Sequence, residues 1–231
     1  MSISKDPIKD SIADHYNKYS ADYDRKNAAA QQTIIDRLAF QKIRMYAAGK
    51  EVLEVGCGTG IWMKELQSVV KSIVGVDLSA GMVQQASKKG LKTKIGDVES
   101  LPFPDSSFDL LYSYRVLPHV PNLPQALAEI KRVLRLEGKA ILMFYNQKSL
   151  KYLTRKKKMV GKVFTSFYSI TDIQALDPSL KLIGGYKILP YQKKLAKIPG
   201  FNAIYTLAEE MCSRTFLKRY GGNVLFELRK K

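Results

Sequence analysis

Six residues in the first hundred have types and spacing suited to chemistry. Glu54-Val55-Gly56-Cys57-Gly58-Thr59-Gly60 joins an acid to three glycines spaced two apart, and Asp77 and Asp97 follow. A glycine turn lets backbone approach a ligand closely, and the start of the helix that follows offers free N–H groups. Asp77 closes a second apolar run 17 residues beyond Gly60. A carboxylate in that place can accept hydrogen bonds from both hydroxyls of a ribose. The chemistry implied is capture of a nucleoside. A dinucleotide site would need G-x-G-x-x-G, and its third glycine would fall on Ile61. Further on, Tyr114, Arg115 and His119 cluster behind another apolar run, where a base or an acceptor-orienting group could sit. No spacing of His, Cys, Asp or Glu resembles a metal site, and Cys57 and Cys212 are too isolated for one. Cys57 reads as the small residue that the turn wants rather than as a nucleophile.

These residues need strand ends to hold them. Val52 to Val55, Ser72 to Asp77, Thr93 to Val98, an apolar run up to Ser113, and Lys139 to Tyr145 read as strands. Helices are expected from Ala28 to Ala47 (apolar face Ile34, Ile35, Leu38, Ile43, Met45), after Gly60, from Ala80 to Lys89 with Ser79 as its cap, and from Pro124 to Leu136. Strands alternating with helices predict a doubly wound α/β fold with a mostly parallel sheet. Tyr16, Tyr19 and Tyr23 share one face of a helix over Ile8 to Arg25.

The E-x-G-x-G-x-G run, the acids Asp77 and Asp97, the loop Leu101-Pro102-Phe103-Pro104-Asp105-Ser106-Ser107-Phe108-Asp109, and the segment Tyr16 to Arg25 together resemble the class I S-adenosylmethionine (SAM) dependent methyltransferases. The similarity is to the small-molecule group related to ubiquinone and menaquinone C-methyltransferases, and it covers about residues 12–146. It implies a Rossmann-like seven-stranded sheet with an antiparallel edge strand, supplied by Leu180 to Leu189 and Gly222 to Leu228, beneath an N-terminal helical lid. It implies SAM as cofactor and S-adenosylhomocysteine as product. The cofactor site implied is Tyr16, Tyr23, Glu54, Gly56, Cys57, Gly58, Gly60, Asp77, Leu78, Met82, Asp97, Val98 and Tyr114, with Asp97 receiving the adenine amino group and no metal. His119 and Tyr114 are the catalytic candidates. Relatives often have two histidines in tandem here, and Pro118 stands in place of the first. The tyrosine segment is expected to close over the cofactor, with plain packing as the alternative. One domain is expected, with 1–48 as N-terminal helices and lid, 49–147 as the cofactor core, and 148–231 holding acceptor-site insertions and the last strands.

The acceptor is less legible. The chain of 231 residues carries a formal charge of +17, and residues 148–231 hold 18 Lys/Arg against 5 Asp/Glu. The run Arg155 to Lys158 and its apolar and aromatic neighbours suit an anionic membrane surface or a lipid-like acceptor. RNA is the competing partner, and a solvated basic face is the plainest alternative. Ser113-Tyr114-Arg115-Val116 replaces the Asp/Asn-Pro-Pro-aromatic tetrad of nucleobase amino methyltransferases. The expected function is methyl transfer to a small or lipid-like acceptor. RNA methylation and a non-catalytic SAM-binding subunit are the alternatives. With no apolar run of 18 residues and no apolar leader block, the expected place is the cytoplasm, peripheral at a membrane if the basic face meets one.

Overall fold

Val52–Val55 are apolar except for Glu54 and all four are buried, the mark of a strand covered on both faces, and the run becomes the centre of a sheet. In the computed structural model, residues 6–25, 34–149, 159–160, 163–186, 188–189 and 198–231 are described. The strands are β1 (Glu51–Val55), β2 (Ser72–Asp77), β3 (Thr93–Ile95), β4 (Phe108–Ser113), β5 (Leu134–Tyr145), β6 (Met159–Val160), β7 (Val163–Phe164), β8 (Lys181–Tyr186) and β9 (Asn223–Arg229). The helices are α1 (Pro7–Tyr19), α2 (Ile34–Ala47), α3 (Ile61–Leu66), α4 (Ala80–Lys88), α5 (Leu123–Val133), α6 (Ile170–Leu176) and α7 (Phe201–Arg214).

Seven strands form one sheet in the order β3-β2-β1-β4-β5-β9-β8, and β6 pairs with β7 as a separate hairpin. Pairing is parallel from β3 through β5. β9 runs antiparallel to both β5 and β8, so the reversed strand lies one place in from the edge. Chain order turns back on itself at β1, with β2 on one side and β4 on the other. In such sheets the crevice beyond the strand ends at that switch point is the ligand site.

Successive side chains on the central strands go to opposite faces, as the pleat requires. Leu53, Leu111, Leu142, Phe144 and Phe226 pack with Ala126, Leu127 and Ile130 of α5. Val52, Leu110, Ile141, Met143 and Leu225 pack on the other side with Ile35, Ala39 and Ile43 of α2 and Met63 of α3. Each such side chain contributes about 1.5–3 kcal/mol by leaving water.

Two boundaries and one face residue differ from the sequence expectation. α5 ends at Val133 rather than Leu136, because the carbonyls of Arg132 and Val133 accept from the N–H groups of Ser106 and Ser107, and Leu134 is already paired with Phe108. β3 ends at Ile95, and Asp97 instead bridges to Ser100. Met45 is 81% exposed, since the residues that α2 buries are Ile35, Asp36, Leu38, Ala39, Ile43 and Ala47. The expected start of α2 before Ile34 and the basic run Arg155 to Lys158 lie outside the described residues.

Candidate active site

The three expected acids stand at or just beyond consecutive strand ends and open on one cavity of about 390 Å³. Asp77 is oriented by backbone: Gly58 N–H donates to Oδ2 at 2.8 Å and Ser79 N–H to Oδ1 at 2.9 Å. Burial raises its carboxyl above the usual range, and those two donors oppose the shift. Glu54 is also buried, and its Oε2 meets no hydrogen-bond donor among the described residues. Burial, helped by the neighbouring Asp77 charge, pushes its pKa up to about 8. A carboxyl with an open lone pair at a cavity wall suits a cationic ligand group.

The glycine turn is built for two reasons, space and backbone conformation. A Cβ at Gly56 would strike Val116 at 2.0 Å, and one at Gly60 would strike Leu91 at 2.1 Å. Gly58 meets nothing within 4 Å, so its place is open. All three have left-handed backbones, with φ of 74°, 52° and 76°. The turn is tied to β2 by the N–H groups of Gly56 and Cys57, which donate to Val76 O. The thiol of Cys57 is held well above its ordinary pKa by burial, which leaves it unsuited to attack. Tyr16, Tyr23, Leu78, Met82, Val98 and Tyr114 line the same cavity, as do the three acids, Gly56, Cys57 and Gly58. Gly60 does not; it packs beneath, at the start of α3.

The N-terminal residues form the roof. Asn17 Oδ1 accepts from Ser79 Oγ and from Gly81 N–H, and Asp24 accepts from Thr59 Oγ1 and pairs with Lys89. Lys9, which the sequence did not mark, reaches Asp97 at 2.6 Å and Glu99 at 2.5 Å. Asp97 thus faces the cavity already paired with a cation, and its Oδ1 also accepts from Glu99 N–H.

The catalytic candidates part ways. The hydroxyl of Tyr114 donates to Asp36 Oδ1 at 2.6 Å, and its ring lies 4.3 Å from that of Trp62. Burial and the Asp36 charge keep that hydroxyl protonated, so Tyr114 is an orienting group and not a base. His119 ends a short 3-10 turn, Leu117–His119, and its Nδ1 lies 2.7 Å from the carbonyl oxygen of Phe164. A carbonyl only accepts, so Nδ1 carries the proton and Nε2 keeps its lone pair. Burial lowers the His119 pKa, and the neutral ring prevails at neutral pH. The insertions expected to shape an acceptor pocket contribute this carbonyl, while no described residue beyond Tyr145 lines the cavity. Asp36 and Arg115, a pair at 2.6 Å, were also not recognised as partners from sequence. The one available signal was an acid, Asp36, falling on the apolar stripe of a helix.

Fold and site together define a doubly wound domain whose cavity suits a nucleoside bearing a cationic tail. The donor set fits SAM: a doubly oriented carboxylate for a diol, an open glycine floor, and a buried acid with a spare lone pair. A family profile for a methyltransferase domain matches residues 53–142. A malonyl-[acyl-carrier protein] O-methyltransferase of Legionella pneumophila is 33% identical over 145 residues, 59% of this chain and 50% of that one. The chain thus spans half the length of that relative. A demethylmenaquinone methyltransferase of Lactococcus lactis is 28% identical over 84% of this chain and 82% of its own. The solved structure of a SAM-dependent methyltransferase of Thermotoga maritima superposes with a TM-score of 0.66 at 20% identity, covering 94% of this chain and 98% of that one. A methyltransferase domain spans residues 53–142, and the chain is related to the class I SAM-dependent methyltransferases, a quinone methyltransferase among them.

Proposed function

We propose that this protein, as one domain over residues 1–231, transfers a methyl group from SAM to a small or lipid-like acceptor. The observation that carries the reading is the convergence of the glycine turn and three strand-end acids on one cavity roofed by Tyr16 and Tyr23. When bound, SAM supplies a methyl group on a sulfonium, open to in-line displacement. The chain needs no covalent intermediate; orientation and exclusion of water can supply on the order of 7–11 kcal/mol. Asp77 would hold the ribose, Asp97 and Val98 the adenine, and Glu54 the cationic tail. His119 Nε2 is the group placed to take a proton from a hydroxyl or acidic carbon. Relatives acting on malonyl-acyl-carrier protein and demethylmenaquinone support a lipid-like acceptor.

A specific observation favours contact with an anionic lipid surface over RNA. Ile204, Leu207 and Met211 lie on one face of α7 and are 71%, 61% and 61% exposed. Phe216 follows at 71%, within the part of the chain that holds most of the positive charge. An exposed apolar helical face in the most basic part of the chain suits an in-plane lipid contact.

The test is a tritiated-methyl assay on cell extract partitioned into lipid, RNA, protein and small-molecule fractions, with the Asp77→Ala variant as control. Label is expected in the lipid or small-molecule fraction. SAM affinity in the variant is expected to fall by roughly 10- to 100-fold, from loss of a charge-assisted hydrogen bond. Label in RNA alone would overturn the acceptor class, and unchanged SAM affinity would overturn the role of Asp77.

A further inference from the structure

Arg115 occupies an unusual backbone position. It stands two residues beyond the end of β4 with φ at 63°, in the left-handed region that side chains other than glycine, asparagine and aspartate seldom adopt. That turn carries its side chain to the cavity, beside the ring of Tyr114 at 5.3 Å. Its partner, Asp36, is on α2, and the pair is lopsided: the Arg115 side chain is 34% exposed and that of Asp36 only 1%. Both residues line the cavity, and of the two side chains the cation is the more open to a molecule bound there.

The guanidinium also has donors to spare. Its one hydrogen bond among the described residues runs from Nη2 to Asp36 Oδ1, the same oxygen that takes the Tyr114 hydroxyl. Five N–H groups in a planar fork leave at least one two-donor edge for a ligand, the geometry that matches a carboxylate. Tyr16, Tyr23 and Tyr145 share the cavity with it. Burial keeps all three hydroxyls protonated, so none of them repels an anion.

We propose that Arg115 forms an anion subsite and that the acceptor carries a carboxylate bound there. The inference rests on the methyltransferase reading above, because it assigns Arg115 to the acceptor of that reaction. A neutral acceptor would leave the fork facing bare solvent, and a cationic one would be repelled by it. With Asp36 neutralising the arginine formally, a bound carboxylate also offsets the positive charge of SAM, so the filled cavity holds opposite charges side by side.

Trp62, the chain's single tryptophan, packs against Tyr114 with the rings tilted by 33° and gives a fluorescence reading of the subsite. The full chain is titrated with octanoate and with octanamide, each with and without saturating S-adenosylhomocysteine. Octanoate is expected to bind at least about 10-fold more tightly than its amide, as a charge-assisted hydrogen bond implies. Arg115→Gln should erase that preference while S-adenosylhomocysteine affinity stays within about two-fold of the parent. Asp36→Asn, which keeps the size and the Tyr114 acceptor but frees the arginine's charge, should tighten octanoate several-fold. Equal binding of acid and amide by the parent overturns the proposal, as does a preference that survives Arg115→Gln. Should that variant fail to fold, the absence of a gain in Asp36→Asn overturns it. Failure of the parent to bind S-adenosylhomocysteine would sink the methyltransferase reading, and the acid-to-amide ratio without it would still decide for or against the subsite.

Discussion

Glu54 is a buried acid in the cavity wall, and it gives a prediction with a definite sign. Its carboxyl is buried beside Asp77 and its pKa is pushed up to about 8, against an ordinary value of 4.5. Between those two values the unfolded chain has lost the proton and the folded chain keeps it. Stability must therefore fall as pH rises through that window. Asp77, raised by burial, acts in the same direction. Glu54→Gln is expected to flatten the decline in melting temperature between pH 5 and pH 8 relative to the parent; parallel curves would contradict the buried, protonated acid. The sequence made these acids visible, because a carboxyl closing an apolar run has few structural reasons to be there. Asp36, Lys9 and Arg115 were not legible as a set, since each depends on a partner 79 or more residues away. Tyr114 was legible as a cavity residue but not in its role, because the acid that fixes its hydroxyl lies on another element.

At the scale of elements, α1 and the turn after it are seated by polar contacts more than by core packing. Lys9 reaches the segment after β3, Asn17 the start of α4, and Asp24 the glycine turn and Lys89. Elements held this way sit at the low-stability end of a structure. Lys9→Met removes two ion pairs and is expected to speed amide exchange over Pro7–Tyr19 by about 10-fold, each charged hydrogen bond contributing about 1.5–3 kcal/mol at most. Adding S-adenosylhomocysteine should slow exchange in the parent over the same residues. Equal protection with and without it would leave α1 a packing helix and not a lid. The spacing put Tyr16, Tyr19 and Tyr23 on one helix, but α1 ends at Tyr19 and a 3-10 turn over Ser20–Asp22 follows; Tyr23 lies beyond that turn, with its ring centroid 5.6 Å from that of Tyr19. What spacing could not foretell was the α5–β5 boundary, where a loop backbone takes the helix's last carbonyls.

On the scale of the whole molecule, charge and exposed apolar surface lie in the same third of the chain. Replacing Ile204, Leu207 and Met211 together with serine should weaken binding to anionic vesicles by at least about 10-fold, given about 1.5–3 kcal/mol for each buried apolar side chain. Binding to neutral vesicles should be weak before and after. Unchanged binding to anionic vesicles in a sedimentation assay would remove α7 from the contact. In sequence this stripe was unreadable, because a helix face turned to a lipid and one turned to a core share the same 3.6-residue period. The alternation of strands and helices was readable through β5; beyond it, pairing depends on β9, which inserts between β5 and β8. That insertion has a consequence for synthesis. β8 has no place in the sheet until Asn223–Arg229 has been made, and β5 keeps an open edge of seven residues until then. The nascent chain must carry that bare apolar edge through the making of α6, β8 and α7, which makes this interval the one in which mispairing and aggregation threaten most.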